Sequence, residues 1–305
     1  MATLKDTSET PPTISPHRGA AFAPDLLKDQ VIIVTGGGTG LGFSMAEGLA
    51  RCGARLVLAA RSAERLEVAA EKLRQAGTQA LAVATDVREA EQTEALVRRA
   101  VEAFGRVDGL VNNAAGNFLV AAEDLSPRGF DAVVRSVLHG TVNCTLAVGR
   151  HLIARGAPGS VLSIVTPYAW TGSAFVLPSA CAKAGVLAMT RSLAVEWGVY
   201  GIRLNAIAPG PFPTEGAWKA LVPEGAEEQA RRRVPMLRLG EHSELSNLAV
   251  FLMSDLSPYQ NGDCVTIDGA GWLAGAGEFS ELRHPARDQV KALLRAMRGP
   301  AKADK

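Results

Sequence analysis

The stretch Val31-Ile32-Ile33-Val34-Thr35-Gly36-Gly37-Gly38-Thr39-Gly40-Leu41-Gly42 decides how the chain folds. Consecutive β-branched residues predict a strand buried on both faces. The glycines that follow free the backbone for a tight turn, and residues 45–51 then read as helix. A glycine-rich turn between strand and helix lets backbone N–H groups and a helix N-terminus approach a pyrophosphate without obstruction by Cβ atoms. A glycine run alone would decide little. Here it opens a repeating alternation of short apolar runs and longer helical periods, with strands expected near 31–35, 55–60, 80–85, 109–112, 160–165, 202–207 and 264–267. The fold class that follows is α/β: a doubly wound, seven-stranded parallel sheet with helices on both faces, in one domain over residues 29–270. Residues 1–28 read as a flexible lead-in and 211–235 as an irregular connection covering substrate. In the tail, 271–305, the spacing of Val290, Leu293, Leu294 and Met297 describes an amphipathic helix that docks on a neighbouring subunit or caps the cleft.

Composition narrows the partner. With 32 Lys and Arg against 31 Asp and Glu, the chain has no net field to draw nucleic acid or a membrane surface. A hydrophobic content of 47% with 21% charge suits a globular protein with a sizeable core, and no apolar run approaches the ~20 residues that span a bilayer. The lead-in contains Asp6, Glu9 and Asp25 and has neither an apolar signal core nor an Arg-rich amphipathic pattern; the ending Ala303-Asp304-Lys305 is not of peroxisomal type. A cytoplasmic address is expected. Cys52, Cys144, Cys181 and Cys264 lie far apart without C-x-x-C spacing, and read as reduced core residues rather than disulfides or metal ligands. A small molecule is the expected partner.

The end of the second run points to the cofactor. An NAD site places a carboxylate there to bond the ribose 2′-OH, whereas a 2′-phosphate is repelled by a carboxylate and attracted by arginine. This chain has Ala60-Arg61-Ser62, which favours NADP(H); the alternative is that Arg61 is a solvated residue at a helix start.

Thr35-Gly36 with Gly40 and Gly42, Asp86-Val87, Asn112-Asn113-Ala114-Ala115-Gly116, Lys183 and Pro209-Gly210-Pro211 together resemble the short-chain dehydrogenase/reductase superfamily over roughly residues 29–270. The resemblance implies a Rossmann-type domain. It also exposes an anomaly: in Ser179-Ala180-Cys181-Ala182-Lys183 a serine stands where that superfamily usually carries the tyrosine of Tyr-x-x-x-Lys. Among the three tyrosines, Tyr168, Tyr200 and Tyr259, the first lies in a loop just upstream of the helix that holds Lys183. Asn113 to Phe118, Tyr168 to Lys183, and Glu196-Trp197-Gly198 followed by Pro209-Gly210-Pro211 are similar to the 2,4-dienoyl-CoA reductases, a subgroup with its tyrosine displaced in this way. That subgroup also lacks a helix asparagine common in the superfamily, and here Val137 stands at that spacing before Gly140.

Hydride addition to a conjugated dienoyl thioester develops negative charge on the thioester oxygen, so a donor must point there and a cation must hold donor and cofactor in place. By resemblance, Tyr168 and Asn117 hold that carbonyl and Lys183 bonds the nicotinamide ribose, with Ser179 a partner for tyrosine or substrate. The resemblance further implies cofactor contacts at Gly36, Gly37, Gly38, Thr39, Gly40, Leu41, Ser62, Asp86, Val87, Asn113, Ala114, Pro209, Gly210, Pro211 and Phe212, and acyl-CoA contacts at Arg88, Phe118 and Ser126. Thr166 occupies the place of the usual family serine and offers its hydroxyl to substrate. The implied reaction is NADPH-dependent reduction to a 3-enoyl-CoA in unsaturated fatty-acid β-oxidation, by a homotetramer. One departure is Ala220, beside Lys219, where the resembled enzymes carry an arginine for CoA phosphate; Arg231-Arg232-Arg233 is either a substitute patch or a solvated helix face. Each side chain has a plainer role open to it: Tyr168 as a packed loop aromatic, Asn117 as a turn residue, Ser179 as a small helix-start residue. The rival functions are a 3-oxoacyl or trans-2-enoyl thioester reductase and a catalytically silent dinucleotide-binding scaffold.

Overall fold

A computed structural model describes residues 22–216, 225–283 and 287–298. The predicted runs become β1 (Val31–Thr35), β2 (Arg55–Ala60), β3 (Ala80–Ala84), β4 (Gly109–Asn112), β5 (Gly159–Ile164), β6 (Ile202–Pro209) and β7 (Cys264–Ile267). They pair in parallel in the order β3-β2-β1-β4-β5-β6-β7. Along β1 successive side chains serve opposite cores. Ile32 and Val34 face α1 (Gly40–Arg51) and α2 (Ala63–Gln75), while Val31 and Ile33 face α3 (Ala90–Phe104) and, further along the chain, α5 (Gly140–Arg155). Each large apolar side chain fully buried in this way contributes about 1.5–3 kcal/mol. That two-sided burial is why the run is continuously apolar rather than alternating.

The sheet order reverses between β1 and β4, so the loops leaving those strands diverge and open a crevice at their carboxyl ends. Before α5, the short helix α4 (Pro127–Val134) passes into it through a wide π turn, Arg135–His139. The Thr141 hydroxyl bonds the Val137 carbonyl there at 2.6 Å, while the Val137 side chain is buried with Ala182 and Val186. An apolar residue replaces the helix asparagine because its surroundings are apolar.

After β5 come a single turn, α6 (Tyr168–Thr171), and the long α7 (Leu177–Trp197). Beyond β6 lie α8 (Glu227–Arg233) and α9 (His242–Met253), which packs beside α1. Past β7 the chain forms α10 (Gly271–Ala276), a 3-10 turn at Ser280–Arg283, and α11 (Arg287–Arg298). The tail's expected apolar stripe docks at one end only: Val290 is 2% exposed and Met297 73%. At the other terminus Leu27 is fully buried and its N–H bonds the Cys52 carbonyl at 2.7 Å, so the packed domain already includes residues just before Asp29. Residues 1–21 of the lead-in, 217–224 of the expected lid with Lys219 and Ala220, and 299–305 lie outside the described residues.

One expectation is corrected. Cys52 and Cys144 are buried and Cys264 partly so, but Cys181 is exposed. Ser179, Ala182, Lys183 and Val186 share the buried face of α7, which turns position 181 outward. All four thiols are free. No described helix is long and apolar enough to cross a membrane, and no His, Cys, Asp and Glu cluster able to hold a metal occurs among the described residues.

Candidate active site

The glycine turn is braced from β4. The Thr35 hydroxyl donates to the Val111 carbonyl at 3.3 Å and accepts the N–H groups of Asn113 and Ala114 at 3.0 and 3.1 Å. Asn113 Nδ2 reaches back to the carbonyls of Thr35 and Gly36. Gly36 sits at φ +64°, and a Cβ on Gly42 would come 2.3 Å from the Gly36 carbonyl oxygen, so the turn closes on α1 only without side chains. Thr39 precedes α1 without a side-chain cap bond, leaving the first-turn N–H groups of that helix directed at the crevice. These residues fit a dinucleotide: a cradle that Cβ atoms would fill, beside a helix N-terminus suited to an anion.

Arg61, the residue after β2, is exposed and makes no hydrogen bond or salt bridge among the described residues, and Ser62 caps α2 by accepting the Arg65 N–H at 3.4 Å. Asp86 is engaged by Arg88, whose Nε lies 2.9 and 3.0 Å from its two oxygens. That guanidinium holds the Asp86 carboxyl below its usual range, with a smaller contribution from the charge of Arg61. Arg88, expected at acyl-CoA, thus spends much of its hydrogen bonding on its neighbour. Val87 is buried against Gly140, and its carbonyl accepts Asn143 Nδ2 at 3.0 Å. At the end of β6, Gly210 donates to the Ile267 carbonyl and Pro211 accepts from Gly240. The Phe212 ring is buried in the core. His242 Nε2, 2.6 Å from the Pro213 carbonyl, pins the start of the expected lid to α9.

Lys183 is buried within α7 and donates to the Ile164 carbonyl at the end of β5. Burial pushes its ammonium down to about 8. One turn earlier on the same helix, Ser179 is 2% exposed, and its hydroxyl lies 3.0 Å from the Tyr168 hydroxyl. The serine in the tyrosine frame is therefore in contact with the displaced tyrosine. Tyr168 belongs not to an open loop but to α6, where Ala169 N–H bonds the Thr166 carbonyl and Gly172 at φ +69° ends the turn. Thr166 Oγ1 is buried with no partner among the described residues, an acceptor and donor left over beside the crevice.

Asn117 and Tyr168 leave from adjacent strands, β4 and β5, paired in register at Asn112 and Ser163. Their loops are tied further along, where Val120 N–H bonds the Phe175 carbonyl at 3.0 Å. Asn117 Oδ1 accepts the Phe118 N–H at 2.9 Å, a turn role that leaves the Nδ2 donors without a partner among the described residues. Phe118 lies over the start of α4, where Ser126 is the N-cap and accepts the Gly129 N–H at 3.1 Å. Ser126 thus has a local structural role. Arg231 and Arg232 of α8 both bond Glu228, which favours the solvated-face reading over a free phosphate patch.

Sequence reasoning missed an aromatic contact. Trp170 meets Trp272 edge-on with ring centroids 5.6 Å apart, bringing α10 onto the Tyr168 turn. Nothing in the spacing of two tryptophans 102 positions apart announces it.

A switch-point crevice with a glycine turn on one side and a buried lysine with a tyrosine on the other defines a nicotinamide-dinucleotide oxidoreductase. The chain belongs to the short-chain dehydrogenase/reductase superfamily: a family model described as enoyl-(acyl carrier protein) reductase matches residues 36–271. A probable 2,4-dienoyl-CoA reductase, (2E)-enoyl-CoA-producing, from Bacillus subtilis (strain 168) is 45% identical over 249 residues, covering 81% of this chain and 98% of that protein. A peroxisomal 2,4-dienoyl-CoA reductase, (3E)-enoyl-CoA-producing, from Arabidopsis thaliana is 38% identical over 291 residues, covering 92% and 95%. Among solved structures, a gluconate 5-dehydrogenase from Burkholderia cenocepacia J2315 in complex with NADP and tartrate superposes with a TM-score of 0.77 at 32% identity, covering 82% of this chain and 98% of that one.

Proposed function

We propose that the protein reduces 2,4-dienoyl-CoA to 3-enoyl-CoA with NADPH. The observation that carries this reading is the 3.0 Å contact between Tyr168 and Ser179. It gives the phenol a fixed place near Lys183, although the phenol arrives from α6 rather than from the lysine's own helix. When bound, NADPH would supply a hydride for the far end of the diene. The Tyr168 hydroxyl and the Asn117 amide donate to the thioester oxygen, stabilising the charge that accumulates there, and the α-carbon then takes a proton to give the 3-enoyl product. Lys183 holds the cofactor ribose with the donors that the Ile164 carbonyl leaves free. The unpartnered Thr166 hydroxyl supports a further contact to substrate.

NADPH oxidation with hexa-2,4-dienoyl-CoA, acetoacetyl-CoA and crotonyl-CoA tests the reading. The dienoyl thioester is expected to turn over fastest, with NMR of the product showing the double bond at C3. Faster turnover of acetoacetyl-CoA would make the protein a carbonyl reductase, and turnover of crotonyl-CoA at the dienoyl rate a 2-enoyl reductase. A C2 double bond would assign the regiochemistry in the name of the Bacillus relative, and no turnover would leave a scaffold.

Cofactor choice is proposed to rest on Arg61. Losing a charge-assisted bond to the 2′-phosphate costs about 1.5–3 kcal/mol. Arg61→Ala is therefore expected to raise KM for NADPH by about 10–100-fold while KM for NADH stays within about 3-fold. Equal changes for both cofactors would return Arg61 to a solvated helix start. A homotetramer completes the proposal, supported by the family resemblance, with a cytoplasmic address supported by the bacterial relative.

A further inference from the structure

The turn that carries Tyr168 is too short to hold itself. α6 is four residues long, Pro167 before it offers no side-chain cap, and Gly172 at φ +69° ends it at once. One helical turn fixes several dihedrals in return for very few hydrogen bonds, so the place of the Tyr168 hydroxyl depends on what grips α6 from outside. One grip is α7: Ala169 packs against the cluster that contains Ala182, and Ser179 meets the phenol at 3.0 Å. A second comes from α10, where Trp272 meets Trp170, two residues after Tyr168, with ring centroids 5.6 Å apart. Trp170 stays 39% exposed, so the pair buries little, and what it offers is its position beside the tyrosine.

The start of α10 is itself firmly set. Trp272 N–H donates to Asp268 Oδ2 at 2.8 Å, Ala270 N–H to Oδ1 of the same carboxylate at 2.9 Å, and Gly271 N–H to the Asp268 carbonyl at 3.1 Å. Ala270 takes φ +67°, a left-handed conformation that a residue with a side chain keeps only where its surroundings over-determine it. Asp268 in turn lies hard against Gly210, where a Cβ would come 2.5 Å from the Asp268 Cβ. The carboxylate thus ties α10 to the end of β6, in the stretch expected to touch the cofactor, and Trp272 is the side chain this arrangement presents to α6. We propose that Trp272 is a positioning residue: through Trp170 it holds the α6 turn, and so keeps the Tyr168 hydroxyl within reach of Ser179 and of the substrate oxygen. The consequence for turnover rests on the reductase reading, whereas the hold on α6 does not.

Amide hydrogen exchange and steady-state turnover, both on the full-length protein, test the two halves separately. Thr171 and Gly172 N–H bond the Pro167 and Tyr168 carbonyls, so their exchange reports opening of α6. Trp272→Leu should speed that exchange by about 2–12-fold without any ligand, the factor equivalent to an aromatic pair. It should lower kcat for hexa-2,4-dienoyl-CoA by a similar factor, with KM for NADPH and thioester within about 2-fold of wild type. Trp272→Phe, which keeps an aromatic edge for Trp170, should recover most of both losses. In a Tyr168→Phe background Trp272→Leu should lower kcat no further, because it would act only through the phenol. Unchanged exchange overturns the hold on α6. Faster exchange with unchanged kcat, or an equal loss in the Tyr168→Phe background, overturns the positioning role. A thioester KM that rises with acyl length would make Trp272 a substrate contact instead, and would also overturn it. Failure of the reductase reading looks different: wild type leaves hexa-2,4-dienoyl-CoA unreduced, which removes the role in turnover and leaves exchange to decide the hold on α6.

Discussion

Tyr168→Phe is expected to lower kcat/KM for hexa-2,4-dienoyl-CoA by about 10²–10³-fold, the usual cost of removing one donor to a developing oxyanion. NADPH affinity should stay within about 2-fold of wild type, because cofactor contacts are assigned to Lys183 and the glycine turn. The lost bond to Ser179 should cost only about 0.5–1.5 kcal/mol of stability. Ser179→Ala separates orientation from chemistry. With the phenol present but no longer held at 3.0 Å, kcat should fall by about 2–12-fold, the equivalent of a net hydrogen bond. The double variant should be no worse than Tyr168→Phe alone, since the serine would act only through the tyrosine. Full activity in Tyr168→Phe would remove the catalytic assignment, and additive losses would give Ser179 a direct contact with substrate.

The parts of this site that were legible in the sequence are those fixed by backbone requirements. Glycines at 36 and 42 announce a turn that tolerates no Cβ, and a run of β-branched residues announces a strand with two buried faces. The replacement of tyrosine by Ser179 was also legible, because a fixed four-residue spacing on a helix defines which side chains stack. Side-chain commitments were not. Arg88 turns onto Asp86, Ser126 onto a helix end, and the Phe212 ring into the core, because each finds a local partner that a linear pattern does not encode. Asn117 shows both sides of this limit, with its oxygen taken by the turn and its amide without a partner among the described residues. The exposure of Cys181 follows from helical phase, but only once the buried face of α7 is known. The Trp170–Trp272 contact joins elements whose proximity depends on the whole sheet order.

Lys183→Met should expose a conflict between stability and function. Burial lowers the Lys183 ammonium from 10.5 to about 8, so the folded state disfavours the charge. Below pH ~8 both folded and unfolded chains carry the proton and folding bears the full burial cost, on the order of 3 kcal/mol. Between pH ~8 and ~10.5 the unfolded chain binds more protons than the folded one, so stability rises with pH and the cost shrinks to nothing. Methionine carries no such cost. Denaturant unfolding at pH 7 should therefore find Lys183→Met more stable by about 1–3 kcal/mol, even without the bond to the Ile164 carbonyl, and the gain should vanish near pH 10.5. Activity should move the other way, with kcat/KM down by about 10²–10³-fold. Wild-type kcat/KM for NADPH should decline above pH ~8 as the ammonium is lost, a limb that the variant lacks. A destabilised variant would make Lys183 a structural residue held by Ile164. A stabilised and inactive one would mean that the buried charge is retained for the cofactor, at a cost the fold would otherwise shed.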